Sequence, residues 1–117
     1  MYPGYWVERL GWELGELRYA ILARIAAGPV TLQQLISDLM RLHEEDVITA
    51  YPSLVDVVEE VRLYKELGLV EEGGSGRLYL NHRLLPGEVA ERVWELAERI
   101  AESLGAPAPA ASEEAVA

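Results

Sequence analysis

Between Gly68 and Asn81 the chain reads Leu69-Val70-Glu71-Glu72, then Gly73-Gly74-Ser75-Gly76, then Arg77-Leu78-Tyr79-Leu80. Two short runs joined by a glycine-rich tetrad spell a β-hairpin. It is the one clear strand signal in a chain otherwise patterned for helices. The fold therefore has to be a helical frame that carries a two-stranded element, and the expected class is mostly α (α+β).

The helices are legible from apolar spacing and from their end signals. From Glu16 to Ala27, Leu17, Ala20, Ile21, Leu22 and Ile25 recur at helical intervals, and Gly28-Pro29 stops the run. Thr31 is an N-cap with Gln at the capping-box position, and Leu32, Leu35, Ile36, Leu39, Met40 and Leu42 mark a second helix to about His43. The acidic Glu44-Glu45-Asp46 follows, and Val47 to Pro52 reads as an extended or turning connector. Ser53 is the N-cap of a third helix, Leu54 to Leu67, closed by Gly68 where a left-handed residue is expected. Pro86 opens a last helix as its first residue, and Gly105 ends it.

The chain of 117 residues, half of them apolar, is long enough for one core and too short for two. Residues 16–85 are expected to form the domain and 86–104 a C-terminal dimerisation or packing helix. Residues 1–15, with Tyr2, Tyr5, Trp6 and Trp12 among glycines, read as an aromatic arm, and 105–117 as a disordered acidic Ala/Pro tail. No cysteine is present, so disulfides and thiolate metal sites are excluded. No apolar stretch reaches the ~18 to 20 residues of a membrane span. A soluble, cytoplasmic protein is expected, and the cationic usage of nine Arg to one Lys is compatible with a thermophile or a GC-rich genome.

Three lines of sequence carry a family likeness. They are Tyr19-Ala-Ile-Leu-Ala-Arg-Ile-Ala-Ala-Gly-Pro29, the Tyr51-Pro-Ser-Leu54 lead-in to the third helix, and Glu66-Leu-Gly-Leu-Val70 running into the hairpin. Together they span roughly residues 17 to 81, and over them the chain resembles the winged-helix transcriptional regulators of bacteria and archaea, most nearly the PadR-like group. The resemblance implies a winged helix-turn-helix fold with a two-stranded wing. It also implies a third helix in the DNA major groove, a wing on the neighbouring backbone, and a dimer made by the C-terminal helix. The third helix is about two turns longer than the usual PadR-like spacing.

The residues of the third helix do not suit a groove. At 100° per residue Leu54, Val57, Val58, Val61 and Tyr64 share the expected core face. The opposite face carries Val55, Asp56, Glu59, Arg62, Leu63 and Glu66, with Glu60 and Leu67 at its edge. A helix that meets phosphates should show Arg, Lys, Asn, Gln, Ser or Thr there. A carboxylate about 7 Å from a phosphate adds repulsion on the order of 2 kcal/mol before screening, and the overall charge is −10, from 20 acidic and 10 basic residues. The candidate DNA contacts are accordingly few: Arg62 and Lys65 on the helix, Arg77 on the wing, and His82 and Arg83 beyond it. Val55, Leu63 and Leu67, mixed with acids, suit another protein surface, or a face covered from within.

The last helix carries Val89, Val93, Leu96, Ile100 and Leu104 on one stripe, broadened by Trp94 and flanked by charges. Two copies could pair through it across a two-fold axis; the alternative is that it folds back on its own first helix. Gln33, Gln34, Thr49 and Tyr51 could touch a DNA backbone, though a cap for the glutamines and a core position for Tyr51 are the plainer expectation. His43 and His82 sit in no metal or triad pattern, and the glycine tetrad lacks the lysine and helix of a phosphate loop. No metal, cofactor or enzymatic activity is expected. The reading is a dimeric, DNA-binding transcriptional regulator by resemblance, or else an acidic winged-helix module that binds protein and does not meet DNA through its third helix.

Overall fold

The computed structural model describes residues 15–105; the aromatic segment 1–14 and the Ala/Pro segment 106–117, where the arm and tail were expected, lie outside the described residues. The elements in order are α1 (Glu16–Ala26), β1 (Val30–Thr31), α2 (Leu32–Glu44), α3 (Leu54–Glu66), β2 (Val70–Glu72), β3 (Arg77–Leu80), a 3-10 turn (His82–Leu84) and α4 (Gly87–Leu104). The class is mostly helical α+β.

Helix α1 is apolar nearly all round: Tyr19, Ala20, Ile21, Leu22, Ala23 and Ile25 are all buried. A helix of that kind has to sit inside, and α1 packs on α4, on α2 and on β3. Leu35, Leu39 and Leu42 of α2, Val57, Val61 and Tyr64 of α3, and Val93, Ala97 and Ile100 of α4 complete the core around it. Each fully buried Leu or Ile contributes roughly 1.5–3 kcal/mol.

The helix ends follow the expected chemistry with small shifts. Thr31 Oγ1 accepts from the Gln34 N–H at 3.2 Å and Ser53 Oγ from the Asp56 N–H at 3.2 Å. The Gln34 side chain does not return to the cap; it donates to Asp38 on the next turn. Gly68, at φ 77, closes α3, with the Leu69 N–H on the Tyr64 carbonyl at 2.9 Å, a Schellman ending that favours glycine. Pro86 is the N-cap of α4, one residue before the first helical position expected for it.

The sheet has three antiparallel strands in the order β1-β3-β2, where two were expected. Strand β1 pairs Val30 with Leu78 and Thr31 with Arg77, and β2 pairs Val70 with Leu80 and Glu71 with Tyr79. The inner face puts Val30, Val70 and Leu78 into the core, and the outer face shows Glu71, Arg77 and Tyr79. A Cβ at Gly73 would lie 2.9 Å from Cε2 of the exposed Tyr79, so a larger residue there would have to turn that ring aside.

Two core placements are corrected. Leu54, assigned to the core face of α3, is 61% exposed, as Val55 and Asp56 beside it are also exposed, so the first turn of the helix lies outside the core. Tyr51, expected to fill the core, is 60% exposed. The buried face of α3 runs through Val57, Val61 and Tyr64.

Candidate interaction surfaces

Helix α3 is held to α1 by a polar cluster. Arg18 donates to both oxygens of Glu60, at 2.8 and 3.1 Å, and the Tyr64 hydroxyl adds a third bond at 2.6 Å. Partial burial pushes the Glu60 carboxyl up, but the bonds from Arg18 and Tyr64 and the Arg18 charge outweigh it and hold the group below its ordinary value. Burial, then the Glu60 bond, pushes the Tyr64 hydroxyl far above its ordinary value, so it stays a neutral donor. Glu60 thus belongs to the framework, not to an outward acidic face.

The rest of α3 defines what it can meet. Arg62 is paired with Glu59 at 3.3 Å, and Lys65 with Glu72 of β2 at 2.6 Å. These exposed pairs add little stability, yet they place a carboxylate on each of the helix's two cations. Asp56 and Glu66 are exposed beside them. Of Val55, Leu63 and Leu67, expected either to face a partner or to be covered from within, Leu67 packs on the core and Leu63 is half-buried. Val55 alone of the three is open, at 69% exposure, and Leu54 and Tyr51, close to it in sequence, are exposed as well. Exposed apolar surface on α3 is therefore gathered at the helix's N-terminal end. The Tyr51 ring stands edge-on to His43 at 5.3 Å, which ties the patch to the end of α2. The Nδ1 atom of that histidine is buried without a hydrogen-bond partner.

Around the hairpin, Arg77 and Arg83 are exposed and make no ion pair among the described residues. His82 is half-buried with its ring 6.3 Å from Trp94, so it is turned toward α4. Of the five expected DNA contacts, three are engaged within the chain and two are open.

The stripe of α4 is spent inside the chain. Val89, Val93 and Ile100 are buried, and Trp94, Leu96 and Leu104 are partly buried against the same core. They lie where α4 packs on α1, which is the fold-back arrangement. Where the N-terminal end of α1, the connector after α2 and α4 meet, a groove of about 620 Å³ is lined by Glu16, Tyr19, Thr49, Arg92, Glu95 and Arg99, among others. Arg92 lies over the Tyr19 ring at 4.3 Å and donates to its hydroxyl, and Glu16 accepts from Thr49. Among the described residues no group of three or more His, Cys, Asp or Glu is placed to hold a metal ion, and no helix is long and apolar enough to cross a membrane.

Comparison with known proteins gives no match, whether with family models, with curated proteins or with solved structures.

The sequence missed Leu54 and Tyr51 as surface residues. The one signal that could have found them is their position: Ser53 caps the helix, so both lie at or before its first turn, where helical periodicity is a weak guide to burial.

Proposed function

We propose that the chain is a winged-helix domain that works as a cytoplasmic, non-catalytic protein-docking module, with its third helix turned toward another protein and not into a DNA groove. Three helices, followed by a hairpin that pairs with a short strand between the first two, support the winged-helix part of this reading. One observation carries the docking part. The only two cations of α3 each face a carboxylate, while Tyr51, Leu54 and Val55 stand exposed at its leading end. A DNA-reading helix needs the reverse, free donors and little apolar surface.

The test is fluorescence anisotropy of the full chain with a pool of genomic duplex fragments at low and physiological salt. No binding at either salt is expected. Binding whose affinity falls steeply with salt, reporting several phosphate contacts, overturns the proposal.

The regulator reading keeps one observation of its own, the open Arg77 and Arg83 beside the hairpin. It requires that Arg77→Ala with Arg83→Ala weakens DNA binding; unchanged affinity removes it. A dimer through Val89, Val93 and Ile100 would have to open the α1–α4 contact in which they are buried, so the docking proposal includes no such pairing.

A further inference from the structure

We infer that the occupant of the Tyr51–Leu54–Val55 patch is a basic, amphipathic helical segment of a partner protein. This rests on the docking reading above and adds the chemistry of the partner. The patch is apolar at its centre, with Tyr51 at 60%, Leu54 at 61% and Val55 at 69% exposure. Its rim is acidic on two sides. Asp56 follows on α3, and the His43–Tyr51 ring contact sets the end of α2, with exposed Glu44 and Asp46, on the other side. The basic groups of these two elements are already engaged, Arg62 on Glu59 and Arg41 on Glu45.

Charge complementarity selects among occupants. A second copy docking by two-fold symmetry would bring like carboxylates together, since such an interface sets the same patch on itself. Nucleic acid carries the same sign as the rim. A segment with an apolar ridge at i, i+3, i+4 and i+7 and lysine or arginine on its flanks offers apolar groups to the centre and cations to both rims. Three exposed side chains make a small contact, so the association is a weak and transient one.

The experiment is an amide-resolved NMR titration of the isotope-labelled full chain with a synthetic helical peptide, leucines at that spacing and lysines elsewhere. A second peptide with glutamates in place of the lysines serves as the control. The lysine peptide is expected to shift amides from Tyr51 to Glu59, with affinity falling several-fold between about 50 and about 300 mM salt. Leu54→Ser with Val55→Ser, which removes the apolar contact without adding charge, should weaken it about tenfold or more while the thermal midpoint stays near that of the parent, since both side chains are exposed. The glutamate peptide should leave the spectrum unchanged. Shifts centred elsewhere, equal binding of both peptides, or binding of neither overturns the partner chemistry proposed here. Duplex DNA shifting the α3 amides in the same apparatus overturns instead the docking reading on which it rests.

Discussion

Arg18 on α1 and Glu60 on α3, separated by 42 residues, meet in a two-point contact at 2.8 and 3.1 Å, with Tyr64 closing the cluster. It is a mostly covered ion pair, at 19% and 21% side-chain exposure, and it makes α3 answer to pH. Glu60 titrates below its ordinary 4.5 in the folded chain. Its contribution is complete above the unfolded value and is lost as pH falls through the folded one, because the unfolded chain takes up the proton first. Glu60→Gln should cost about 1–2 kcal/mol at neutral pH and flatten the loss of stability below about pH 4.5. Urea unfolding between neutral pH and acid checks both; an unchanged acid limb contradicts the role assigned to the pair.

A second ionic contact fixes α2 to α1. Asp38 is 8% exposed and accepts from Arg24 and from Gln34, each at 2.8 Å, while Arg24 also donates to the Gly28 carbonyl at the end of α1. Asp38→Ala strands a half-buried guanidinium and should cost about 2–3 kcal/mol. Asp38→Asn, which keeps acceptor capacity, should cost less. The order of the two urea midpoints is the readout; equal midpoints would mean that packing alone holds the helices.

Neither contact could be seen in the sequence, and the reason is physical. Caps and stops such as Thr31, Ser53 and Gly68 act within a few residues, so α1 to α4 emerge within a residue or two of their expected ends. Arg18 and Glu60 find one another only after the chain has folded. Strand β1 was missed because Val30-Thr31 is too short to show a period of two and is a strand only by pairing with β3. The α4 stripe was visible as an apolar face, but an apolar face does not name its partner. Leu54 shows the converse, a residue with core spacing in a first turn that is exposed. The candidate site was half legible for the same reason: its acids are local facts, while its apolar centre depends on where α3 projects.

The exposed end and the buried face of α3 should respond oppositely to substitution. Leu54→Ser and Val55→Ser should each change stability by no more than about 0.5 kcal/mol. Val57→Ala, at a fully buried position, should cost about 2 kcal/mol. Thermal unfolding separates the cases, since 1 kcal/mol moves the midpoint of a domain of this size by roughly 4–8 °C. A large loss at Leu54 would place it in the core after all.

Helix α2 ends on Asp46 at φ 61, the place where α3 uses Gly68 at φ 77. The Val47 N–H reaches the Leu42 carbonyl at 2.9 Å, as the Leu69 N–H reaches that of Tyr64. The two endings share one geometry with different residues, so reciprocal changes should have opposite signs. Asp46→Gly should stabilise by about 0.5 kcal/mol, and Gly68→Ala should destabilise by about 1–2 kcal/mol. The second cost is conformational, because a Cβ at Gly68 meets only Leu84 Cδ1 at 3.9 Å. Differential scanning calorimetry of the two variants gives the signs directly.

Val93 decides whether α4 belongs to the core of one chain or to the seam between two. It is fully buried where α4 packs on α1, in company with Ala97 and Ile100. An aspartate there would be an unpaired carboxylate in an apolar surround, a class of change that costs upward of about 4 kcal/mol and exceeds what many domains of this size can lose. Val93→Asp should therefore abolish the cooperative melt and much of the far-ultraviolet circular dichroism, whereas Glu98→Ala on the exposed side should stay within about 0.5 kcal/mol of the parent. If the stripe instead joined two copies, Val93→Asp would give a folded monomer of half the hydrodynamic mass with a preserved melt. Size-exclusion chromatography beside the melt distinguishes these results. Loss of the fold keeps α4 as a wall of the domain.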